Sequence, residues 1–507
     1  MNIPTSKSRQ KSIGANGVLR FCNLIVACLI FSGFFREELV GHPYVDRLTL
    51  LLGLVLCLQT YVVLRLEMRN RDPFVLIMTY LLTFFYSLRI FTLLCYPVQE
   101  VFLRYAYGPS DSNHALVYIL LANVCIYIGF YRVKLRDAVE IDTVGYEPKA
   151  PRLGVLLFVL SLVFGLFVQK SVPENVGRFV NLIYNNFLTP NAVLLVLAAY
   201  VIAFRKRLPA IYIKIVAVGG ITLAVLQTLA FSRSALLTFF DNLLIVVLAL
   251  LPAIRLPRKL VVTAFVLLPF LLAAAFSLYA ISTATRGEKA DRGETLTEKV
   301  ALARESVASL KDDPRIDVYL AQGFARAGYF DYSAEIIAHR DRYAGVFTAR
   351  NYFKSIVDNM LTPGFDFFDY PRIASALKYA YRDAGDPSRT NDMEAGAGHS
   401  DYLGLYGEMY ALFGYASFLV LPFCSYCLKR AFKRGLVSNP FLIALKRILL
   451  VLIFFRWMNS YGLDWVLWDF VTTLIIFVVL FPLFGRKVGR LHKEQSVLVG
   501  AQVTDNP

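Results

Sequence analysis

The chain has 507 residues, 57% hydrophobic and 18% charged, with a formal net charge of +16 and a mean hydropathy of +0.54. An ordinary soluble domain is about 45–50% apolar and about 25% charged, so a soluble globular protein is excluded. The excess of Lys and Arg follows loop positions rather than a basic groove motif, which argues for cytoplasmic loops and against a nucleic-acid partner.

Lys7, Arg9, Lys11 and Arg20 precede a first apolar run at 21–35. Phe34-Phe35-Arg36-Glu37 follows it. That is no small-residue cleavage site, so an uncleaved first span is expected. Further runs lie at 48–64, 74–94, 115–131, 153–168, 191–204, 210–231, 235–251, 260–281, 403–428, 448–460 and 465–484. Backbone groups in lipid must be satisfied internally, so each reads as a helix. About twelve spans result.

Cations cluster in alternate loops: Arg65/Arg69/Arg71, Arg132/Lys134/Arg136, Arg205/Lys206/Arg207, Arg255/Arg258/Lys259, Lys429/Arg430/Lys433/Arg434 and Arg486/Lys487/Arg490. The intervening short loops hold scattered cations only. The positive-inside bias then puts both termini in the cytoplasm. Four parts are expected: spans over 1–281, an external loop over 282–402, spans over 403–485 and a cytoplasmic tail over 486–507. Within the loop, Thr295 and Glu298 form a capping box opening a helix. Residues 316–338 read as a helical hairpin with Gly323 and Gly328 near its turn.

The chemistry-bearing residues gather on the external side. Arg233, between Ser232 and Ser234, sits at a tip between two runs. It is either a turn residue snorkelling to headgroups or a guanidinium placed to grip a diphosphate. His399 lies at the outer mouth of a span. It is either a surface histidine or a general base for a sugar hydroxyl, with Asp401 or Glu408 orienting the ring. Glu408 falls about two turns into the following span. An acid there is either paired structurally or functional, and Arg89, Arg456, Asp464 and Asp469 raise the same alternatives. Tyr402, Tyr406 and Tyr410 form a stripe that is an interfacial belt or a surface for sugar rings or a lipid tail. Arg286 and Arg372 add positive charge near the membrane, on what is otherwise a solvated face.

No metal-ligand spacing is visible, and no metal or cofactor is expected. Cys424 and Cys427 form an isolated C-x-x-C on a membrane helix and read as small apolar residues.

The chain resembles the Wzy-type O-antigen or oligosaccharide repeat-unit polymerases of bacterial inner membranes. The resemblance rests on Phe231-Ser-Arg-Ser-Ala-Leu-Leu237, Asp358-Asn-Met-Leu-Thr-Pro-Gly364, His399-Ser-Asp-Tyr-Leu403, Gly407-Glu-Met-Tyr410 and Phe413-Gly414. It implies an all-α, GT-C-like, metal-independent glycosyltransferase with one large helical periplasmic loop. It further implies transfer of a growing glycan from undecaprenyl diphosphate to the terminal sugar of a new lipid-linked unit. Arg233 would hold the diphosphate, with His399 in the catalytic loop. Glu408, Arg286 and Arg372 are assigned by placement. A chain-length regulator and a flippase are the partners the family implies, beside membrane lipids. An O-antigen ligase and a lipid-oligosaccharide flippase are the alternatives.

Overall fold

A computed structural model describes residues 15–67, 72–95, 107–135, 146–148, 151–163, 190–204, 207–229, 329–358, 367–368, 370, 373, 376–377, 404–434, 439–459, 462–464, 466–467 and 485–487. The chain is an all-α, multi-pass membrane-spanning protein. Five helical stretches among the described residues are long and apolar enough to cross a bilayer; the fifth, Leu405–Lys433, is interrupted at Gly414. The expected spans at 235–251 and 260–281, most of 465–484 and the helix opened by Thr295 lie outside the described residues.

The first four helices are α1 (Ala15–Gly33), α2 (Arg47–Leu66), α3 (Pro73–Cys95) and α4 (Pro109–Tyr131). Local chemistry starts three of them. Asp46 caps α2 by accepting from Thr49 N at 2.7 Å, and the Thr49 hydroxyl answers Asp46 N. Asp72 caps α3 ahead of Pro73, a residue suited to the first helical position. At α4, Pro109 follows Gly108, whose N–H donates to Asp111 at 2.8 Å.

The four pack side by side in alternating direction. Asn16 donates to the Glu67 carbonyl at one end, and Asn113 reaches Asp46 at the other. In between, Asn23 donates to the Cys57 carbonyl at 2.7 Å and Gln59 to that of Leu120 at 2.8 Å. Such hydrogen bonds hold helices together where lipid offers no hydrophobic drive. The lipid-facing sides are apolar at helical spacing: Leu48, Leu51, Val55, Leu58 and Val62 on α2, and Val117, Leu121, Val124 and Ile128 on α4 are exposed. In water such stripes would be aggregation surfaces.

Residues 82–87 of α3 form a π-helical turn. Such widened turns concentrate at functional positions. Here the turn carries Phe85 and Tyr86, which meet the later part of the chain.

Two shorter apolar helices, α5 (Pro151–Val163) and α6 (Pro190–Ala203), and the 20-residue α7 (Ala210–Leu229) follow. Past the undescribed stretch come α8 (Tyr329–Ala338), the single-turn α9 (Arg340–Tyr343), α10 (Ala349–Ile356), α11 (Leu405–Phe413), α12 (Ser417–Lys433) and α13 (Pro440–Asn459). β1 (Tyr146–Pro148) and β2 (Gly485–Lys487) pair antiparallel.

The basic end of the bundle is tied by a buried ion pair between Lys429 and Asp72, and Lys429 also donates to the Phe130 carbonyl at 2.7 Å. Lys429, counted above among loop cations, is therefore inside the bundle. Arg65, Arg132 and Lys134 lie at the same end. α8 begins directly after Gly328, near the turn expected there. It does not stand clear of the bundle: nine of its residues, Tyr329 to Ile337, are buried, and it packs on α4 and α11.

Candidate functional site: a re-entrant half-helix

Residues 403–428 were expected to form one span. The structure divides them. α11 is antiparallel to α4, whereas α12 runs parallel to it. On α11, Tyr406 donates to Asn123 Oδ1, while Tyr410 packs against Tyr118 at 4.9 Å and His114 at 5.9 Å between ring centroids. On α12 the order inverts. Ser417 and Phe418 meet Tyr118, Pro422 and Ser425 meet Gly129, and Lys429 meets Phe130. The chain thus rises along α11, turns over at 414–416 and descends as α12. Gly404 stands near the level of Asn123, about 21 Å below Pro109 at 1.5 Å per residue. The physical reason is Gly414, whose φ of +55° with ψ of −135° is a conformation reserved for glycine. A second left-handed glycine, Gly404 at φ +63°, precedes the half-helix.

A helix broken within the bundle leaves carbonyls that lipid cannot satisfy. Arg340 supplies a donor: its Nε reaches the Ala411 carbonyl at 3.2 Å, and its guanidinium lies over the Tyr410 ring at 5.8 Å. A cation at a helix C-terminus also opposes the macrodipole favourably. Gly407 allows α8 close, since a Cβ there would stand 3.0 Å from Ile336 Cδ1.

Glu408 lies in the first turn of α11 rather than two turns in, and it is fully buried. Its carboxylate accepts from three neutral donors on three other segments. Tyr352 of α10 donates its hydroxyl to Oε1, Trp457 of α13 donates Nε1–H to Oε2 at 3.0 Å, and Leu463 donates its backbone N–H to Oε1 at 2.8 Å. Burial first, and then the adjacent Glu408 carboxylate, push the Tyr352 phenol well above its usual range, so it stays a donor.

Asp464 forms the other half of this junction. Its Oδ2 accepts from the Ser355 hydroxyl at 2.6 Å and from Ile373 N at 3.0 Å. Asp358 likewise holds the chain beyond α10, accepting from Phe367, Phe368 and Tyr370 N–H groups at 3.0–3.2 Å. On the far side of α8, Asp331 and Arg89 form a buried ion pair, with Nε at 2.9 Å and Nη2 at 2.8 Å from Oδ2. The Tyr107 hydroxyl completes it at 3.1 Å.

Next to Glu408 is an apolar cavity of about 230 Å³. Leu405, Leu421, Cys424, Leu450, Phe454, Trp457 and Leu463 line it. Two of these, Trp457 and Leu463, are the residues that also donate to Glu408.

Of the sequence-derived site residues, the structure brings Glu408, Tyr406 and Tyr410 together on α11. Tyr406 and Tyr410 are buried, 0% and 8% exposed, and face α3 and α4. Arg233, Arg286, Arg372, His399, Asp401 and Tyr402 lie outside the described residues. Arg89 and Asp464, flagged as costly charges in apolar surroundings, prove to be partners of Asp331 and Ser355. Tyr352, Trp457 and Arg340 were missed, and nothing in their local sequence marks them. All seven cysteines are free. Among the described residues no cluster of three or more His, Cys, Asp or Glu is arranged for a metal ion.

Comparisons with protein-family models, with curated proteins and with solved structures each return no match. What stands on the chain's own geometry is the coarser identity: an all-α, multi-pass membrane protein in which a re-entrant half-helix fills the half of the bundle opposite its basic end.

Proposed function

We propose that this chain polymerises lipid-linked oligosaccharide repeat units at the periplasmic face of a bacterial inner membrane, without a metal or cofactor. The observation that carries the reading is that Trp457 and Leu463, two donors to Glu408, also line the apolar cavity. A fully buried carboxylate with neutral donors only shares Trp457 and Leu463 with a hydrocarbon-lined hole. A substrate that is part isoprenoid and part sugar diphosphate needs both surroundings within one molecule's reach.

In this reading the basic end is cytoplasmic, both termini are cytoplasmic, and about twelve spans cross the membrane. The half-helix then opens to the periplasm. Arg233, with Arg286 and Arg372, neutralises the departing diphosphate as arginines do where no metal serves. His399, oriented by Asp401 or Glu408, removes the proton from the attacking sugar hydroxyl. Tyr402, with the α11 tyrosines behind it, borders the acceptor. Undecaprenyl-diphosphate-linked oligosaccharide is the substrate, with a chain-length regulator and a flippase as partners.

The test is surface glycan length in the native host. Arg233→Ala and His399→Ala should each leave single repeat units in place of long chains. Long-chain banding with both variants would refute the assignment. Finished chains stranded on the carrier lipid would instead identify a ligase.

One observation favours a second reading. Discontinuous helices beginning at mid-depth are the substrate sites of many transporters, and α11 is one. Movement of labelled lipid-linked sugar across proteoliposomes without bond formation would identify a flippase.

A further inference from the structure

The fold accounts for one face of α10 and leaves the other open. Tyr352 and Ser355, one turn apart, donate to Glu408 and Asp464 and pin the helix to the bundle. At about 100° per residue the opposite face carries Arg350, Phe353 and Lys354. Phe353 is 60% exposed. The Arg350 side chain is exposed and, among the described residues, forms no hydrogen bond or ion pair. The Lys354 ammonium lies over the rings of Phe368 and Tyr370, 6.0 and 5.7 Å from their centroids, and has no acid partner there.

Phe368 extends this face. Its ring stands 6.1 Å from that of Phe353 at an interplanar angle of 58°, and it is 43% exposed. Asp358 fixes it from behind, accepting from its N–H at 3.1 Å and from that of Phe367 at 3.0 Å. Two open rings are therefore held at an angle beside two cations, on a helix anchored by buried carboxylates. Exposed aromatic patches of this kind mark binding surfaces. A hydrocarbon occupant would cover the rings but strip water from the cations. A bare inorganic anion would pair the cations but leave the rings wet. A sugar that carries an acid meets both.

We infer that the open face of α10, with Phe368, binds a saccharide bearing an acidic group. The C–H face of a pyranose ring is weakly positive and suits the negative faces of Phe353 and Phe368. The Arg350 fork and the Lys354 ammonium take the acid's oxygens. Either a uronic carboxylate or a sugar phosphate supplies that chemistry. The site names a substrate class for the proposed polymerase and rests on that reading's glycan.

The experiment is calorimetric binding to the purified full-length protein in detergent. The probes are a glucuronic acid oligomer, a neutral glucose oligomer of equal length, glucose-1-phosphate and inorganic phosphate. At least one acidic saccharide should bind about tenfold or more tighter than the neutral oligomer, and the tighter of the two identifies the source of the acid. Arg350→Gln and Lys354→Gln should each weaken that binding about tenfold, the loss of a hydrogen bond to a charged group, without changing affinity for the neutral oligomer. Phe353→Ala should weaken every saccharide. The unfolding midpoint of Arg350→Gln should match the native protein, since its side chain bonds to nothing in the fold. Failure of both acidic saccharides to bind, equal binding of the neutral oligomer, inorganic phosphate as tight as glucose-1-phosphate, or native affinity in Arg350→Gln and Lys354→Gln would overturn the site. Transfer is not measured here. Long surface chains without binding would sink this site alone, whereas binding without chain lengthening would sink the polymerase reading alone.

Discussion

Glu408 joins four separate pieces of chain, and its removal can be worked out donor by donor. Replacing it with Ala strands the Tyr352 hydroxyl, the Trp457 indole N–H and the Leu463 backbone N–H. Each orphaned buried donor costs about 1–3 kcal/mol, so Glu408→Ala should lose about 3–9 kcal/mol. Glu408→Gln should be milder. Its carbonyl can take the place of Oε1, which serves Tyr352 and Leu463, while its NH₂ faces the Trp457 donor. One donor is stranded, for a loss of about 1–3 kcal/mol. The two variants should therefore rank clearly, Gln well above Ala. The assay is unfolding of the detergent-purified protein, followed by the fluorescence of its three tryptophans. An Ala variant within about 0.5 kcal/mol of native, the range of an ordinary surface change, would refute the reasoning. So would a Gln variant as damaged as Ala, since negative charge rather than donor count would then be the stabilising feature.

Two further changes probe the packing that positions α11. Breaking the Arg89–Asp331 pair by Arg89→Ala or Asp331→Ala should cost about 3–5 kcal/mol, because the surviving charge stays buried without its partner. Arg89→Met with Asp331→Leu should recover most of that loss, as yields of folded protein from membranes would register; a double variant no better than the singles would contradict it. Gly129→Ala should force α4 and α12 apart, since its Cβ would meet the Pro422 carbonyl at 2.3 Å and Ser425 Cβ at 2.8 Å. The expected loss in the same unfolding assay is about 1–3 kcal/mol, and an unchanged midpoint would contradict the close approach.

Much of the bundle was legible residue by residue. The apolar runs at 48–64 and 74–94 match α2 and α3 within two residues at either end. Hydropathy is a local property, so these runs announce their helices without help from distant chain, whereas the caps Asp46 and Asp72 were found only in the structure. Glu408 was legible as a costly acid in an apolar stretch, and Arg89 and Asp464 for the same reason. Their partners were not. Arg89 meets Asp331 across 242 positions, and Glu408 finds its donors 49, 55 and 56 positions away. Tyr352 and Trp457 look like any aromatic residue until the fold brings them to a carboxylate.

Composition and periodicity alone determined that this chain lives in a bilayer as packed helices, because each run must satisfy its own backbone wherever lipid surrounds it. Only the tertiary structure decided that the stretch from Leu405 to Lys433 reverses at Gly414. A glycine in an apolar run reads the same whether it permits close packing or a left-handed turn. The choice falls to whichever neighbour can satisfy the freed carbonyls, and that neighbour, Arg340, is 71 positions from the carbonyl it serves.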